Sequence, residues 1–114
     1  MMHDGTFGLP QAAVDKMRAV FARHPQVEKA VLYGSRAKGN YKNGSDIDLT
    51  LYGDGLNLVI LLKILDELDD LLLPWMIDLS IFSTLDHAGL REHIERVGVI
   101  FYQRSTSADG KSRS

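Results

Sequence analysis

The chain has no cysteine and no long hydrophobic run, and each absence excludes a class of protein. Without cysteine there is no disulfide framework, thiolate metal site or cysteine nucleophile. The longest purely aliphatic run, Leu58–Leu62, is five residues long, whereas a helix needs about 18 to span a bilayer. The segment from Met1 to Pro10 lacks an apolar core of signal-peptide length. We therefore expect a small, soluble, cytoplasmic domain with no membrane partner.

A surplus of basic residues is also missing. The sequence has 13 Lys and Arg against 15 Asp and Glu, so its formal net charge is −2. Proteins that hold nucleic acid through bulk charge carry a basic surplus, so we expect no direct nucleic-acid binding. Hydrophobic residues make up 45% and charged residues 25% of the 114 positions, which is typical of a single globular domain.

The hydrophobic pattern predicts helices and strands in alternation. Amphipathic spacing predicts helices over 11–24 and 56–73, and a last one that begins at Ser83 or Thr84 and reaches about Val97. Short apolar or alternating runs predict strands over 28–33, 46–51, 76–82 and 99–102. We expect an α+β, or α/β-like, fold with a mixed β-sheet. Because the alternating strands leave one face polar, we expect the helices on the other face alone.

The same pattern gives the limits of the domain. We expect one domain over residues 1–103, with a frayed N-terminus over 1–9. Residues 104–114 are polar and rich in serine, so we expect a disordered tail there.

Three carboxylates occupy related positions in two predicted strands. Asp46 and Asp48 are two residues apart, so their side chains project to the same side of a strand. Asp78 lies in another alternating strand, again on the side away from the core. If the two strands are neighbours, the three anions converge and repel one another unless a cation compensates. An all-oxygen cluster suits a hard ion, Mg²⁺ or Mn²⁺.

A glycine-rich turn precedes these acids. The residues Gly34-Ser35-Arg36-Ala37-Lys38-Gly39 directly follow a predicted strand. Gly34 permits close approach of the backbone to a ligand, and one helical turn over 35–38 would direct N–H groups and the Ser35 hydroxyl at an anion. Arg36 and Lys38 add positive charge for phosphates. Metal-binding acids opposite a phosphate-binding turn describe a nucleoside triphosphate site.

Each part of this pattern is unspecific on its own. An Asp-x-Asp pair fits a solvated strand face, Gly-Ser fits an ordinary turn, and Asp78 alone fits any exposed acid. The combination is much more specific, because a strand runs into Gly-Ser, ten residues intervene before Asp-Ile-Asp, and a third acid follows in another strand. We therefore favour a functional interpretation.

The stretch from Gly34 to Gly39 followed by Ser45-Asp46-Ile47-Asp48-Leu49 resembles the signature of polymerase-β-type nucleotidyltransferases. The short chain and the stretch Leu73–Leu79 look like the minimal nucleotidyltransferases, or MNT proteins. The resemblance implies a nucleotidyltransferase fold, Mg²⁺ bound by Asp46, Asp48 and Asp78, and triphosphate contacts at Gly34 and Ser35. One departure is Lys38, where many members have arginine. The positive charge is kept, but the guanidinium that can bind a phosphate through two donors at once is lost.

The resemblance also implies a partner. Larger relatives use further domains to hold the base and the acceptor, so here a second protein or a second copy of the chain must supply that half. MNT proteins commonly pair with a small all-helical HEPN protein, often a ribonuclease toxin, onto whose tyrosine they are thought to transfer AMP from ATP. Val59 and Leu62, beside the polar face of the 56–73 helix, suit docking or simple packing equally well.

Three hypotheses follow. The preferred one is a Mg²⁺-dependent antitoxin that transfers AMP from ATP to a tyrosine hydroxyl of a HEPN-type partner. In it Asp46, Asp48 and Asp78 are catalytic, and Gly34, Ser35, Arg36 and Lys38 bind nucleotide. The second is a non-catalytic, nucleotide-binding antitoxin that neutralises its partner by covering it. The third is a nucleotidyltransferase acting on a small molecule such as an antibiotic.

Overall fold

The computed structural model describes residues 5–42 and 44–105. Along this part of the chain lie six strands: β1 (Gly5–Thr6), β2 (Leu9–Pro10), β3 (Lys29–Tyr33), β4 (Ile47–Tyr52), β5 (Ile77–Ile81) and β6 (Val99–Gln103). The α-helices of the same part are α1 (Gln11–Ala22), α2 (Ser35–Lys38), α3 (Leu58–Asp69) and α4 (Ala88–Val97), and a 3₁₀ turn occupies Phe82–Thr84. None of these helices is long and apolar enough to cross a membrane.

Four of the strands form one mixed sheet, in the order β5-β4-β3-β6. Strand β3 pairs antiparallel with β4 and with β6, whereas β4 and β5 pair in parallel. A parallel pair needs a crossover connection, and α3 supplies it between β4 and β5. The predicted α+β fold with a mixed sheet is confirmed.

The main core lies between the sheet and the helices α1 and α3. Phe21 from α1, Ile64 and Leu68 from α3 and Leu49 from β4 are all at most 2% exposed and belong to one packed cluster. Helix α3 begins at an Asn57 cap, whose side-chain oxygen accepts a hydrogen bond from the Ile60 N–H. An exposed link joins the two helices, because Glu67 of α3 pairs with Arg23 just after α1.

Helix α4 packs on the opposite face of the sheet. Val31 and Tyr33 have the opposite strand parity to Leu32, and they form a second cluster with Phe82 and with Ile94 of α4. The prediction that all helices lie on one face is therefore wrong for α4. The physical reason is that the second face is apolar at β3 and polar only at β4 and β5. Helix α4 also begins later than predicted, with the His87 Nδ1 accepting from the Leu90 N–H.

The segment before α1 is an ordered hairpin. Strands β1 and β2 pair antiparallel across Phe7 and Gly8, whose φ angles of 59° and 75° are both positive, as in a type I′ turn. Leu9 is 2% exposed and belongs to the main core. The prediction of a frayed N-terminus is wrong over 5–9, because burying Leu9 holds the segment against the domain.

The ends of the predicted domain fall largely outside the described residues. Residues 1–4 of the predicted frayed segment and 106–114 of the predicted disordered tail lie there. Within the described part, the first residue of that tail is held, since the Arg104 N–H donates to the Glu28 carbonyl at 2.8 Å and its Nη1 donates to the Pro25 carbonyl.

Two leucines of α3 give a matched test of this packing. Leu68 is 2% exposed and Leu62 is 55% exposed. We expect Leu68→Ala to lower the free energy of unfolding by about 2–5 kcal/mol, because it leaves a cavity in the core. Leu62→Ala should change it by less than about 0.5 kcal/mol. Urea denaturation measures both, and equal losses would contradict the described orientation of α3.

Candidate active site

Two of the predicted acids meet across the parallel strands. Asp48 of β4 is the direct register partner of Asp78 of β5, and Tyr33 of β3 is opposite Asp48 on its other side. Register partners in neighbouring strands project to the same face. The structure therefore places Tyr33, Asp48 and Asp78 in one row across the sheet. Asp78 is exposed and Asp48 is half-buried.

The third acid lies beside this row. Asp46 precedes β4 by one residue and is exposed. Burial raises the pKa of the Asp48 carboxyl, and the negative charges of Asp78 and Asp46 raise it further. The charges of Asp78 and Asp46 thus add to the effect of burial on Asp48. The structure pairs Asp48 with Asp78 and places Asp46 just before β4, and the assignment of all three acids to one site stays a prediction.

The chemistry of this group fits a divalent cation. Across residues 5–42 and 44–105, no three acidic, histidine or cysteine side chains are arranged to chelate one ion. The donors are nevertheless carboxylate oxygens, which Mg²⁺ and Mn²⁺ prefer. A cation beside Asp48 and Asp78 would also remove the repulsion that raises the Asp48 pKa. On both grounds the residues fit a bound Mg²⁺ or Mn²⁺.

Two hydroxyl groups follow the acids along the same face of the sheet. Thr50 and Ser80 are register partners two residues beyond Asp48 and Asp78, and the Ser80 hydroxyl donates to the Thr50 Oγ1 at 2.9 Å. Burial raises the pKa of the Tyr33 phenol, as do the charges of the acids, while a side-chain hydrogen bond with Ser80 acts in the opposite direction. Sequence reasoning did not assign these hydroxyls to the site. Their strand parity, which matches that of the acids, was the available signal.

The predicted glycine turn lies directly against Asp48. Gly34 has φ 80° and ψ −156°, a conformation essentially limited to glycine. A Cβ at this position would collide with the Asp48 Oδ2. Only glycine therefore permits the turn to approach the carboxylate so closely.

The helical turn predicted after Gly34 is confirmed as α2. The Lys38 N–H donates to the Gly34 carbonyl at 3.1 Å, and the Gly39 N–H donates to the Ser35 carbonyl at 2.9 Å. Ser35 is half-buried at the start of this turn, and Lys38 is exposed at its end. The turn therefore carries the Ser35 hydroxyl next to the glycine that contacts Asp48.

Arg36 is placed differently from the other predicted phosphate ligands. Its side chain is 3% exposed. Its guanidinium donates to the Ser45 carbonyl and to the Phe7 carbonyl, and burial lowers its pKa. These contacts direct the guanidinium at the loop before β4 and at the N-terminal hairpin. The assignment of Arg36 to phosphate stays a prediction.

An apolar groove lies apart from the acids. It has a volume of about 360 Å³ and runs between the end of α3 and the start of β5. Its lining consists of Leu65, Leu68, Asp69, Leu72, Leu73, Trp75, Met76 and Ile77. None of the predicted site residues is among them. The groove lacks the chemistry of the acids, so the candidate site is the open polar face of β4 and β5.

The sequence matches the polymerase beta nucleotidyltransferase family over residues 15–107. The chain therefore belongs to this family. The matched region contains the turn at Gly34 and all three acids. No curated protein matches the chain in sequence.

Similar solved structures come from toxin–antitoxin complexes. A chain of a toxin–antitoxin complex with AMP-PNP has 17% identity and a TM-score of 0.65, over 84% of this chain and 77% of that one. A chain from the complex of tri-AMPylated Shewanella oneidensis HEPN toxin with MNT antitoxin has 17% identity and a TM-score of 0.60, over 87% and 76%. A chain of the MntA–HepT toxin–antitoxin gives the same values. These likenesses show a shared fold.

The two glycines that flank α2 test the contact with Asp48. Gly34 and Gly39 both have positive φ, but a Cβ on Gly39 would meet nothing within 4 Å. We expect Gly39→Ala to lower the free energy of unfolding by about 1 kcal/mol and Gly34→Ala by about 3 kcal/mol. Because it displaces the Asp48 carboxylate, Gly34→Ala should also weaken Mn²⁺ binding roughly tenfold. Calorimetric titration with Mn²⁺ measures this, and equal affinities in the two variants would contradict the described contact.

Proposed function

We propose that the chain is an MNT-type antitoxin that transfers AMP from ATP to a tyrosine hydroxyl of a HEPN-type toxin. One observation carries the proposal: Asp48 and Asp78 are register partners on one face, and the turn at Gly34 lies against the Asp48 carboxylate. Paired carboxylates next to a close backbone turn suit transfer of a nucleoside monophosphate. Membership of the polymerase beta nucleotidyltransferase family supports the same reaction class.

Each site residue then has a role. Asp46, Asp48 and Asp78 would hold Mg²⁺ or Mn²⁺, which supplies positive charge that offsets the charge of the triphosphate. The backbone at Gly34 and the Ser35 hydroxyl would contact the phosphates. Lys38, exposed at the end of α2, would add a positive charge.

The bond changes in the proposed reaction are those of a displacement at phosphorus. The tyrosine oxygen bonds to the α-phosphorus of ATP, and the bond from that phosphorus to the bridging oxygen breaks, so pyrophosphate leaves. The proton of the hydroxyl passes to the carboxylate of Asp78. Asp78 suits this role because it is exposed, whereas Asp48 is half-buried.

The partner is proposed from two independent features. A structurally similar chain comes from a complex that contains an AMPylated HEPN toxin. In this chain, Leu58, Val59 and Leu62 of α3 are 65%, 62% and 55% exposed. More than half of each of these side chains is exposed, so they offer an apolar surface to a partner.

That apolar surface also favours a second candidate function. An antitoxin can neutralise its partner by covering it, and three exposed apolar side chains on one helix would serve such binding without any transfer. The two functions differ in whether neutralisation needs the acids.

We expect Asp48→Asn to abolish AMP transfer and to leave the fold intact, because it removes a charge from the metal site without changing the size of the side chain. The chain would be incubated with the protein encoded next to it and with Mg-ATP, and intact mass would count AMP units on that neighbour. Asp54→Asn, an exposed acid in the turn after β4, is the matched control and should transfer normally.

The same variants separate the two functions in cells. If Asp48→Asn still neutralises the toxin as well as the wild type does, occlusion accounts for the antitoxin effect. Undiminished AMP transfer by Asp48→Asn would exclude the proposed mechanism. AMP transfer to a small molecule without any protein partner would favour the third hypothesis.

A further inference from the structure

Arg36 is a buried charge that the proposed transfer does not explain. Arg36 is 3% exposed. In the described part of the chain, the buried polar or charged side chains are those of Arg36 and Thr50. A guanidinium removed from water is costly unless its donors are paired. Its partners therefore indicate what the residue does.

These partners lie on three separate segments. The Arg36 Nε and Nη2 both donate to the Ser45 carbonyl, at 3.1 and 3.0 Å, and Nη1 donates to the Phe7 carbonyl at 2.9 Å. The rings of Tyr41 and Trp75 lie 5.1 and 5.8 Å from the guanidinium carbon. Two donors of one side chain on a single acceptor require the planar guanidinium of arginine, which lysine lacks.

The contact with Ser45 bears directly on Asp46. The Ser45 carbonyl and the Asp46 N–H belong to one planar peptide group. A guanidinium that holds the Ser45 oxygen therefore also restrains the orientation of the Asp46 backbone. On the far side of Asp46, the Ile47 N–H donates to the Met76 carbonyl at 2.9 Å. The backbone of Asp46 is thus held from both sides.

Asp46 needs such support more than the other two acids. Asp48 and Asp78 lie inside β4 and β5 and are fixed by the register of the sheet. Asp46 lies before β4, after a turn in which the Lys42 N–H donates to the Ser45 Oγ and the Ser45 N–H donates to the Lys42 carbonyl. The arginine ties this exposed turn to the body of the domain.

We propose that Arg36 is a positioning residue that orients the Asp46 carboxylate toward the divalent cation, and that it does not bind phosphate. The proposal rests on the metal site of the proposed function. It assigns the two cationic residues of α2 to different tasks, because buried Arg36 acts on the metal through Asp46, whereas exposed Lys38 faces solvent.

The test compares binding of Mn²⁺ alone with binding of inorganic triphosphate alone. Arg36→Lys keeps the charge and loses the planar guanidinium, so we expect Mn²⁺ affinity to fall 10- to 100-fold and triphosphate affinity in the absence of metal to stay unchanged. Lys38→Gln should give the opposite pattern. In an Asp46→Asn background, Arg36→Lys should cause no further loss of Mn²⁺ affinity, because the arginine acts through that carboxylate.

The results that overturn the proposal are distinct. Equal Mn²⁺ affinity in Arg36→Lys and the wild type, an undiminished loss in the Asp46→Asn background, or weakened triphosphate binding in Arg36→Lys would each refute the role of Arg36 alone. A wild-type chain that binds no Mn²⁺ would refute the metal site and, with it, both proposals.

A measurement on the wild-type chain guards against a variant that does not fold. The Nε–H of Arg36 is buried and hydrogen-bonded, so NMR should resolve it. Addition of inorganic triphosphate without metal should shift this resonance less than the backbone N–H of Ser35, which lies at the proposed phosphate contact. A saturable shift of the Arg36 Nε–H larger than that of the Ser35 N–H would show that the guanidinium contacts phosphate, and the proposal would be wrong.

Discussion

Repulsion between carboxylates is the constraint on which the candidate site depends. The register of β4 and β5 places Asp48 against Asp78, and the charge of Asp46 acts on the same group. Neighbouring acids of this kind raise the cost of ionising one another, and burial of Asp48 adds to that cost. A divalent cation would offset this repulsion, so the proposed metal site depends on the register that pairs Asp48 with Asp78.

The surrounding structure limits how far this cluster can relax. The hydroxyls of Thr50 and Ser80 are hydrogen-bonded to each other in the next row of the sheet. Gly34 closes against the Asp48 carboxylate from the other side, in a backbone conformation that only glycine readily adopts. The second of these contacts keeps the turn at Gly34 against the Asp48 carboxylate.

Local pattern was sufficient to predict the sheet and the shared face of Asp48 and Asp78. Strand alternation predicts Asp46, Asp48 and Asp78 on one side, and the register of β4 and β5 pairs Asp48 with Asp78. The glycine turn and the helix after it could also be predicted from neighbouring residues alone. Gly34 follows a strand directly, and the next four residues form α2.

Contacts between distant parts of the chain could not be predicted in this way. The hairpin before α1 is ordered because Leu9 is buried in the core. The sequence around Leu9 has no hydrophobic periodicity that would predict this burial. Helix α4 covers the second face because Val31 and Tyr33 meet Ile94, which depends on the sheet order. The motif predicts Arg36 as a phosphate ligand, and that assignment stays a prediction. Its carbonyl partners at Ser45 and Phe7 are nine and 29 residues away, so no local pattern indicates them.

The most direct measurement is the position of Mn²⁺ in crystals of the chain, located by its anomalous scattering. We expect a peak between the carboxylates of Asp48 and Asp78, within coordinating distance of Asp46, on the open polar face of β4 and β5. A peak bound elsewhere, or none beside these carboxylates at a saturating Mn²⁺ concentration, would contradict the assignment of this face as the metal site.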